Sequence, residues 1–339
     1  MQKQELITAL EKVKPGLANK DFIEQSTSFA FMDGKVITYN DEISISHPVK
    51  DLKIEGAVQA EELYQFLSKT KTEEIEITTT DSEVQIKSGK SKAGLTLHSE
   101  IKLPLKEMKS QGKWKSLPDG IIEAMKFTMF SCSRDMSKPV LTCVNVTNKY
   151  VEASDNFRIT RYKIPSIPVK SFLIPVTSVR ELIKYEVKKI AEGEGWIHFK
   201  TEDGTVFSCR IFEDTFPDVS RYMKVKGETV LFPRSIKSLL DQASVFVKED
   251  NKLDEAVAIF ISGRNIRVKG KGDAGWFEGE AKIQYKGSPI SFSVNPTFLQ
   301  DILDKLTSCI IGENVMKFSG NNWDHVISLN ADDGENKKK

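Results

Sequence analysis

The sequence predicts an α+β fold that consists of three tandem copies of one unit. The stretches "GAVQAEELYQFLSK", "KSFLIPVTSVRELIKYEV" and "PISFSVNPTFLQDILDK" share a pattern of apolar residues and align on Gln59, Pro175 and Asn295. These positions lie 116 and 120 residues apart. Apolar residues recur at i, i+3 and i+4, which is the spacing of an amphipathic helix on a packed surface. Three copies at nearly equal spacing predict three repeated domains, which fits the usual domain size of about 100 to 200 residues.

Each copy contains another amphipathic helix, which lies N-terminal to the helix described above. These helices are predicted in "QELITALEKV", "PDGIIEAMKFTMF" and "PRSIKSLLDQASVF". Between the two helices, apolar and polar residues alternate, as in "KVITYNDEISISH", and this alternation predicts antiparallel strands. Another pair of strands follows the C-terminal helix of each copy, as in "EEIEITTTDSEVQIKSG". The unit is therefore helix, strands, helix, strands.

Linkers that contain Lys, Pro and Gly separate the predicted domains. They are "LPLKEMKSQGKWKSLP" and "FPDVSRYMKVKGETVLFP", which predict domains at 1–108, 114–223 and 227–330. The tail 331–339, "ADDGENKKK", has no apolar residue to anchor it apart from one alanine, and we expect it to be disordered.

The composition is that of a globular protein without a membrane segment. Lys and Arg number 49 against 48 Asp and Glu, so net charge alone gives no argument for nucleic acid binding. No apolar run is long enough to span a bilayer and no signal peptide is recognisable, so we expect a cytoplasmic location. The four cysteines are scattered without metal-binding or redox spacing, which favours reduced, mostly buried thiols.

Motifs that would indicate an enzyme are incomplete. Gly270, Gly272 and Gly275 have the spacing of a dinucleotide fingerprint, but "WFEGEAKIQY" follows in place of a helix, so we predict a hairpin turn. The "SGKS" at 88–91 lacks the earlier glycine of a phosphate-binding loop, because Val84 occupies that position. The four histidines show no catalytic spacing. We therefore expect no catalytic residue, no metal and no cofactor.

Several segments, in order, resemble the bacterial-type β sliding clamps, the processivity factors of replicative DNA polymerase. They are "SEVQIKSGKSKAGLTL", "VEASDNFRITRYKI", "FLIPVTSVREL", "RIFEDTFPD" and "SFSVNPTFLQDIL", and the resemblance covers nearly the whole chain. It implies three DNA-clamp domains per subunit and a homodimer that closes into a ring of twelve helices around duplex DNA. It also implies a cytoplasmic, nucleoid-associated protein without enzymatic activity.

A ring that slides needs cations directed at phosphates and no contacts that read bases. A helix predicted over 177–190 would carry Arg180, Lys184 and Lys188 on one outward face, although any single lysine there could belong to an ordinary solvated face. The resemblance adds contacts from loops. The predicted DNA-binding residues are Lys20, Lys126, Arg134, Lys138, Arg180, Lys184, Lys188, Lys237 and Lys305.

The resemblance further implies that the "KSGKSKAGLTL" edge of the first unit meets the third unit of a partner subunit. Lys90 and Lys92 would then face Glu278 and Glu280, and Leu95 would pack near Val245 and Phe246. The alternative is that these residues are rim charges and core residues within one subunit. The predicted interface residues are Lys90, Lys92, Leu95, Val245, Phe246, Glu278 and Glu280.

Members of the clamp family bind polymerase, clamp loader and repair proteins through a short peptide in an apolar pocket. The pocket residues implied here are Leu141, Ser154, Asn156, Phe157, Arg158, Ile159, Pro217, Arg221, Tyr222, Val326, Ser328 and Leu329. The sequence departs from the family at "DNFR", where Asn156 and Phe157 replace the usual Gly-His, and at the chain end. A phage or mobile-element origin would explain this divergence. The alternative function is a scaffold or decoy that binds such peptides without sliding on DNA.

Overall fold

The computed structural model describes residues 1–108 and 112–330 of the chain. Within them, two α-helices occur in each predicted copy, and strands follow each helix, so the predicted order of elements is confirmed. The helices are α1 (Lys3–Val13), α2 (Ala60–Lys69), α3 (Ile121–Thr128), α4 (Val176–Leu182), α5 (Ile236–Ser244) and α6 (Pro296–Leu303).

The strands form a group of four and a group of three in each copy. The first copy has β1 (Ser28–Met32), β2 (Lys35–Tyr39), β3 (Ile43–Pro48) and β4 (Gly56–Gln59), then β5 (Glu76–Thr79), β6 (Glu83–Ser88) and β7 (Ser91–Thr96). The second begins with the short β8 (Lys115–Ser116) and has β9 (Cys143–Val146), β10 (Tyr150–Ser154), β11 (Arg158–Lys163) and β12 (Phe172–Pro175), then β13 (Val187–Glu192), β14 (Trp196–Thr201) and β15 (Val206–Arg210). The third begins with β16 (Glu228–Leu231) and has β17 (Val257–Ser262), β18 (Asn265–Gly272), β19 (Gly275–Lys282) and β20 (Ile290–Val294), then β21 (Ser308–Ile311), β22 (Val315–Ser319) and β23 (Trp323–Ser328).

The helices form where the sequence places an apolar stripe. On α1, Leu6, Leu10 and Val13 are fully buried, as the i, i+4, i+7 spacing predicts. The start of α6 has both signals of a helix N-terminus. Asn295 accepts hydrogen bonds from the backbone N–H groups of the first turn, and Pro296 occupies the first helical position, where its missing N–H costs nothing.

The predicted helix over 177–190 is wrong in its length. α4 ends at Leu182, and residues 187–192 form β13, which pairs with β14 and with β8. Pairing on both edges satisfies backbone groups that a helix would otherwise satisfy internally. Lys184 therefore lies in a turn and Lys188 on a strand, so neither shares a helical face with Arg180.

The chain divides into two compact units. The first comprises Met1–Lys126, Asn145–Lys149 and Pro165–Asp214, and the remaining described residues form the second. The core of the second unit contains α5 and α6 packed on the neighbouring strands, with Leu240, Leu299 and Ile302 fully buried.

Each unit contains a sheet to which two copies contribute. In the first unit the strand order is β4-β1-β2-β3-β15-β14-β13-β8, and in the second unit a sheet contains β10-β11-β23-β22-β21-β16. In both sheets, the strands of two successive copies pair in the same way. The third strand of a four-strand group, β3 or β11, pairs antiparallel with the last strand of the next copy's three-strand group, β15 or β23. Shared sheets explain why two units are compact although three copies are present.

The two smaller sheets end in strands at the equivalent positions. One sheet has the order β5-β6-β7 and the other has the order β19-β18-β17-β20. β19 is the third strand of its four-strand group, and β7 is the last strand of its three-strand group. Within the described residues, each is the edge strand of its sheet.

The predicted hairpin at "GKGDAG" is confirmed, because Gly272 pairs with Gly275 across a two-residue turn between β18 and β19. The glycines also permit close packing on α5. A Cβ on Gly270 would lie 2.5 Å from the carbonyl oxygen of Ala243, and one on Gly272 would lie 2.1 Å from that of Phe246.

The boundaries 1–108, 114–223 and 227–330 remain predictions. Residues 109–111 of the first linker and the tail 331–339 lie outside the described residues.

Candidate functional site

A small apolar cluster lies apart from the main core of the second unit. Ile159 on β11 and Val326 on β23 are cross-strand neighbours, and Val219 and Met223 pack on them from the short 3-10 helix Ser220–Met223 and the residue before it. We call the whole set the groove cluster. It consists of Ile159, Phe216, Val219, Met223, Val315 and Val326.

Polar contacts fix the 3-10 helix over this cluster. The N–H of Ser220 donates to Oδ1 of Asp218 at 2.9 Å, and the hydrogen bonds from Ser220 lower the pKa of Asp218. Arg161 points to the same side of β11 as Ile159, because side chains two residues apart share a face. Its Nε donates to Oε1 of Glu152 at 2.5 Å and its Nη2 to Oγ of Ser220 at 3.1 Å.

A second cation holds the other end of the same helix. Nζ of Lys317 on β22 donates to the carbonyl oxygen of Met223 at 2.9 Å. It also lies 3.1 Å from Oδ1 of Asp324 on β23. Arg161 and Lys317 therefore tie the 3-10 helix to the sheet from two strands.

Two large polar side chains project beside the cluster. Tyr222 is 45% exposed, and the guanidinium of Arg221 lies over its ring, 4.6 Å from the ring centroid. Arg221 also donates to the hydroxyl oxygen of Tyr222. An aromatic ring and a cation at the border of an apolar cluster provide the groups that typically anchor a peptide.

Arg158 is buried and does not face the groove cluster. Its Nε donates to Oδ2 of Asp155 at 2.9 Å, its Nη1 to Oδ2 of Asp301 at 2.6 Å, and its Nη2 to the carbonyl oxygen of Phe130 at 2.6 Å. The ring of Phe298 lies 4.4 Å from the guanidinium carbon. Burial raises the pKa of Asp155, and the charge of Arg158 partly offsets that effect. Arg158 therefore holds the 155–158 turn in place.

Phe157 stands in this turn beside a different cavity. Asn156 has φ of +77°, a left-handed conformation that asparagine tolerates better than most residues. Phe157 and Ser328 line a cavity of about 170 Å³, together with Leu253 and Phe298. Phe157 thus lines a cavity that has no groove-cluster residue in its lining.

One polar side chain on the opposite face of β23, His325, is fully buried. Nδ1 of His325 and the hydroxyl of Thr160 form a hydrogen bond of 2.8 Å. The same hydroxyl forms a hydrogen bond of 2.6 Å with the hydroxyl of Ser131. Burial, with a smaller contribution from Arg158, lowers the pKa of His325 to about 3, so this histidine is neutral at physiological pH.

The structure brings some of the predicted pocket residues together and separates others. Ile159 and Val326 lie in the groove cluster, and Pro217, Arg221 and Tyr222 are exposed on the segment that covers it. Leu329 belongs to the main core of the unit, and Oγ of Ser154 donates to the carbonyl of Arg158. Leu141 is buried in the 3-10 helix Pro139–Thr142.

Sequence reasoning missed Glu152, Arg161, Phe216, Val219, Val315 and Met223. The alternation of side chains along β11 could have identified Arg161, since it follows Ile159 by two residues.

The predicted DNA-binding cations are exposed except for Lys237, which is partly exposed, and their settings differ. Lys126 and Arg180 lie on α3 and α4, and Lys237 lies on α5, where it pairs with Asp304. Nζ of Lys184 pairs with the carboxylate of Glu181 at 2.7 Å. The remaining cations are exposed on loops, on a strand or just after a helix, and they are Lys20, Arg134, Lys138, Lys188 and Lys305.

The predicted interface residues lie on or beside the two edge strands. Lys92 and Leu95 are on β7 and Lys90 is in the turn before it. Val245, at the end of α5, is 56% exposed, and Phe246 beside it is half-buried.

The acidic pair on β19 already has partners in the chain. Nε of Arg267 lies 2.8 Å from Oε1 of Glu280, and Nζ of Lys269 lies 3.0 Å from Oε2 of Glu278. Trp276, on the same strand, is 70% exposed and was not predicted.

None of the helices in the described part of the chain has the length and apolar character needed to cross a membrane. The same residues contain no group of three or more His, Cys, Asp or Glu side chains arranged to hold a metal ion.

The fold is that of the DNA sliding clamps. The structure is similar to DNA polymerase III subunit beta from Pseudomonas aeruginosa, with a TM-score of 0.85 at 15% identity over 97% of this chain and 98% of the other. It is similar to the beta subunit from DNA polymerase of Streptococcus pyogenes, with a TM-score of 0.84 at 20% identity over 97% and 98%. A Pseudomonas aeruginosa sliding clamp bound to griselimycin gives a TM-score of 0.82 at 15% identity, with the same coverage. No family model and no curated protein matches the sequence.

Proposed function

We propose that this chain is a DNA sliding clamp: a homodimeric ring that encircles duplex DNA without reading its sequence and tethers a replicative polymerase. We further propose that it acts in the cytoplasm on the nucleoid and has no catalytic activity of its own. The observation that carries this proposal is the pattern by which strands of successive copies pair.

Two joins occur within the chain, β3 with β15 and β11 with β23, and both use the same strands of the repeat. A third join of the same type requires β19 and β7. Unpaired edges tend to recruit further strands, and head-to-tail contacts close into rings when the rotation permits. Two copies would supply two β19–β7 joins, and the six repeats would then form one closed ring.

The repeat also predicts the register of the missing join. Leu95 corresponds to Cys209, because Leu95 pairs with Val84 within its hairpin as Cys209 pairs with Ile197. In the β3–β15 join, Cys209 pairs with Ile43. The hairpins β1–β2 and β17–β18 align Lys35 with Asn265, so their cross-strand partners Pro48 and Lys282 also correspond. Ile43, five residues before Pro48, therefore corresponds to Phe277 on β19. Leu95 would therefore lie opposite Phe277 of the other subunit.

The same register places Lys92 opposite Glu280. Val206 pairs with Ser46 in the first join, and these two positions correspond to Lys92 and Glu280. Opposite charges across a strand pair are favourable, and like charges are not. Because Glu280 also pairs with Arg267, Lys92 would extend an existing charge network.

Contacts with DNA would come from exposed cations on the helices and loops. Phosphate contacts carry no sequence information and permit sliding. Lys184 and Lys237 are partly neutralised by Glu181 and Asp304, so we assign the larger contribution to the other predicted cations. These are Lys20, Lys126, Arg134, Lys138, Arg180, Lys188 and Lys305.

Enclosure of DNA is tested by retention on closed circles. The protein is incubated at high concentration with nicked circular plasmid, and complexes are isolated by gel filtration at high salt, which removes ordinary electrostatic binders. We expect the protein to stay on the circle and to leave within minutes once a restriction enzyme linearises the DNA. Equal retention on both forms would contradict enclosure, and no retention on either would favour the non-sliding scaffold.

The groove cluster is proposed as the site that binds short peptide segments of polymerase, clamp loader and repair proteins. We propose that griselimycin, which is bound in the Pseudomonas aeruginosa clamp, also binds here. Tyr222→Ala removes an exposed anchor without disturbing the buried cluster, so we expect roughly tenfold weaker binding of griselimycin by calorimetry.

The matched control is Tyr64→Ala, which removes another tyrosine that lies under a cation, Lys14, in the first unit. It should leave the affinity unchanged. Equal affinities for the wild type and Tyr222→Ala would assign the ligand to a different surface.

A further inference from the structure

A groove of about 1350 Å³ lies in the second unit, in the part formed by the third copy. One wall is the strand β16 with the two residues that follow it, and the other is the segment 282–287 after β19. None of the groove-cluster residues lines it, so it is a separate surface.

The first wall is an edge strand. β16 pairs with β21, from Glu228 opposite Ile311 to Leu231 opposite Ser308, and it is the last strand of its sheet. The pairing with β21 uses one edge of β16, and the groove lies beside the strand. Leu231 lines the groove and is 53% exposed.

The second wall is extended and positively charged. Buried and exposed residues alternate over 282–286: Ile283 and Tyr285 are buried, and residues 282, 284 and 286 are exposed. Two of those exposed residues are Lys282 and Lys286. The hydroxyl of Tyr285 donates to the carbonyl of Ser288 at 2.6 Å, which fixes this segment to its own loop.

The charges of the groove are unbalanced. Arg264, Lys282 and Lys286 line it, and Glu228 is the carboxylate among its lining residues. In the second copy, Nζ of Lys115 on β8 donates to the carbonyl of Pro168 at 2.5 Å, which links the corresponding two segments. The third copy has a groove between its corresponding segments.

We propose that this groove binds an extended, acidic segment of a partner protein, which adds to the free edge of β16 as a further strand. Main-chain hydrogen bonds to an exposed edge give affinity in such complexes, and alternate side chains give specificity. The peptide's carboxylates would face Arg264, Lys282 and Lys286, and its apolar residues would cover Leu231. This surface would let the protein hold a second partner while the groove cluster holds the first.

The test uses a fluorescein-labelled octapeptide in which glutamate alternates with valine or leucine, and measures fluorescence anisotropy with the full chain. We expect saturable binding that weakens with salt, because the contacts are partly electrostatic. The triple variant Arg264→Glu, Lys282→Glu, Lys286→Glu should bind at least about tenfold more weakly. The control triple Lys35→Glu, Lys50→Glu, Lys53→Glu changes charge equally, in the first unit, and should bind like the wild type.

A second probe tests strand addition itself. The same octapeptide with N-methyl groups on alternate residues cannot donate the hydrogen bonds of one edge, and we expect its binding to be lost. Equal binding of the methylated and unmethylated peptides would overturn strand addition. No binding of the parent peptide, or equal binding to both triple variants, would overturn the site.

The tail 331–339 contains Asp332, Asp333 and Glu335 and could compete for the same groove. A variant with these residues changed to the matching amides should bind the octapeptide as the wild type does. At least tenfold tighter binding would assign the groove to the chain's own tail and overturn the proposal of a partner. Retention on circular DNA should be unchanged in the groove variant, which separates this inference from the proposed clamp function.

Discussion

Replacing Leu95 with aspartate is expected to convert the proposed dimer into monomers. Leu95 is half-buried on the edge strand β7 and would lie opposite Phe277 of the partner subunit. An unpaired carboxylate buried in that join would cost several kcal/mol, and about 3 kcal/mol corresponds to roughly 100-fold weaker association. Sedimentation equilibrium over a range of protein concentrations measures the effect directly.

The control for this change is Thr79→Asp, on the opposite edge of the same three-stranded sheet. Thr79 is exposed, so this variant adds the same charge to the same sheet outside the proposed join. It should sediment like the wild type. A Leu95→Asp protein that remains folded and dimeric would refute the assignment of β7 to the interface.

Replacing Arg158 with methionine is expected to lower the free energy of unfolding by about 3 to 5 kcal/mol. The guanidinium is buried and has three oxygen acceptors, and its loss leaves the equally buried carboxylate of Asp155 without its cation. Breaking a buried pair on one side is costly because the remaining charge keeps its desolvation penalty. Urea unfolding followed by circular dichroism gives the value.

A second change identifies the cause of this loss. Asp155→Asn added to Arg158→Met removes the stranded charge and should restore part of the stability, whereas a simple loss of packing would not be restored. Lys87→Met, which breaks an exposed pair with Glu76 at 3.2 Å, should cost less than about 1 kcal/mol. A similarly small decrease in the free energy of unfolding of Arg158→Met would show that the guanidinium contributes little to stability.

The repeat was predictable because helix signals are local. Apolar residues three and four apart, such as Leu63, Phe66 and Leu67, depend only on the helical period, and α2 contains all three. The end of α4 was not predictable from the same signal. Arg180, Lys184 and Lys188 have the spacing of a helix, but the spacing of exposed charged residues does not determine whether the backbone is helical or extended. The end is decided by the pairing of β13 with β14 and with β8, and β8 is distant from β13 in the sequence.

The candidate site shows the same limit. The resemblance to the clamp family placed Arg158 in the pocket together with Ile159, but neighbouring residues on a strand point to opposite faces. Arg158 therefore points to Asp301 and Phe130, and Arg161 takes the place beside the groove cluster. Val219 and Met223 could not be assigned, because the 3-10 helix Ser220–Met223 and the residue before it are positioned by contacts with β11 and β23.

The way in which successive copies share sheets also determines where the protein can open. The β3–β15 and β11–β23 joins lie within one polypeptide, so a broken join re-forms at a high effective concentration that dilution does not change. The β19–β7 joins proposed between subunits have no such tether. They would be the weaker joins of the proposed assembly, and a duplex without free ends would enter through one of them.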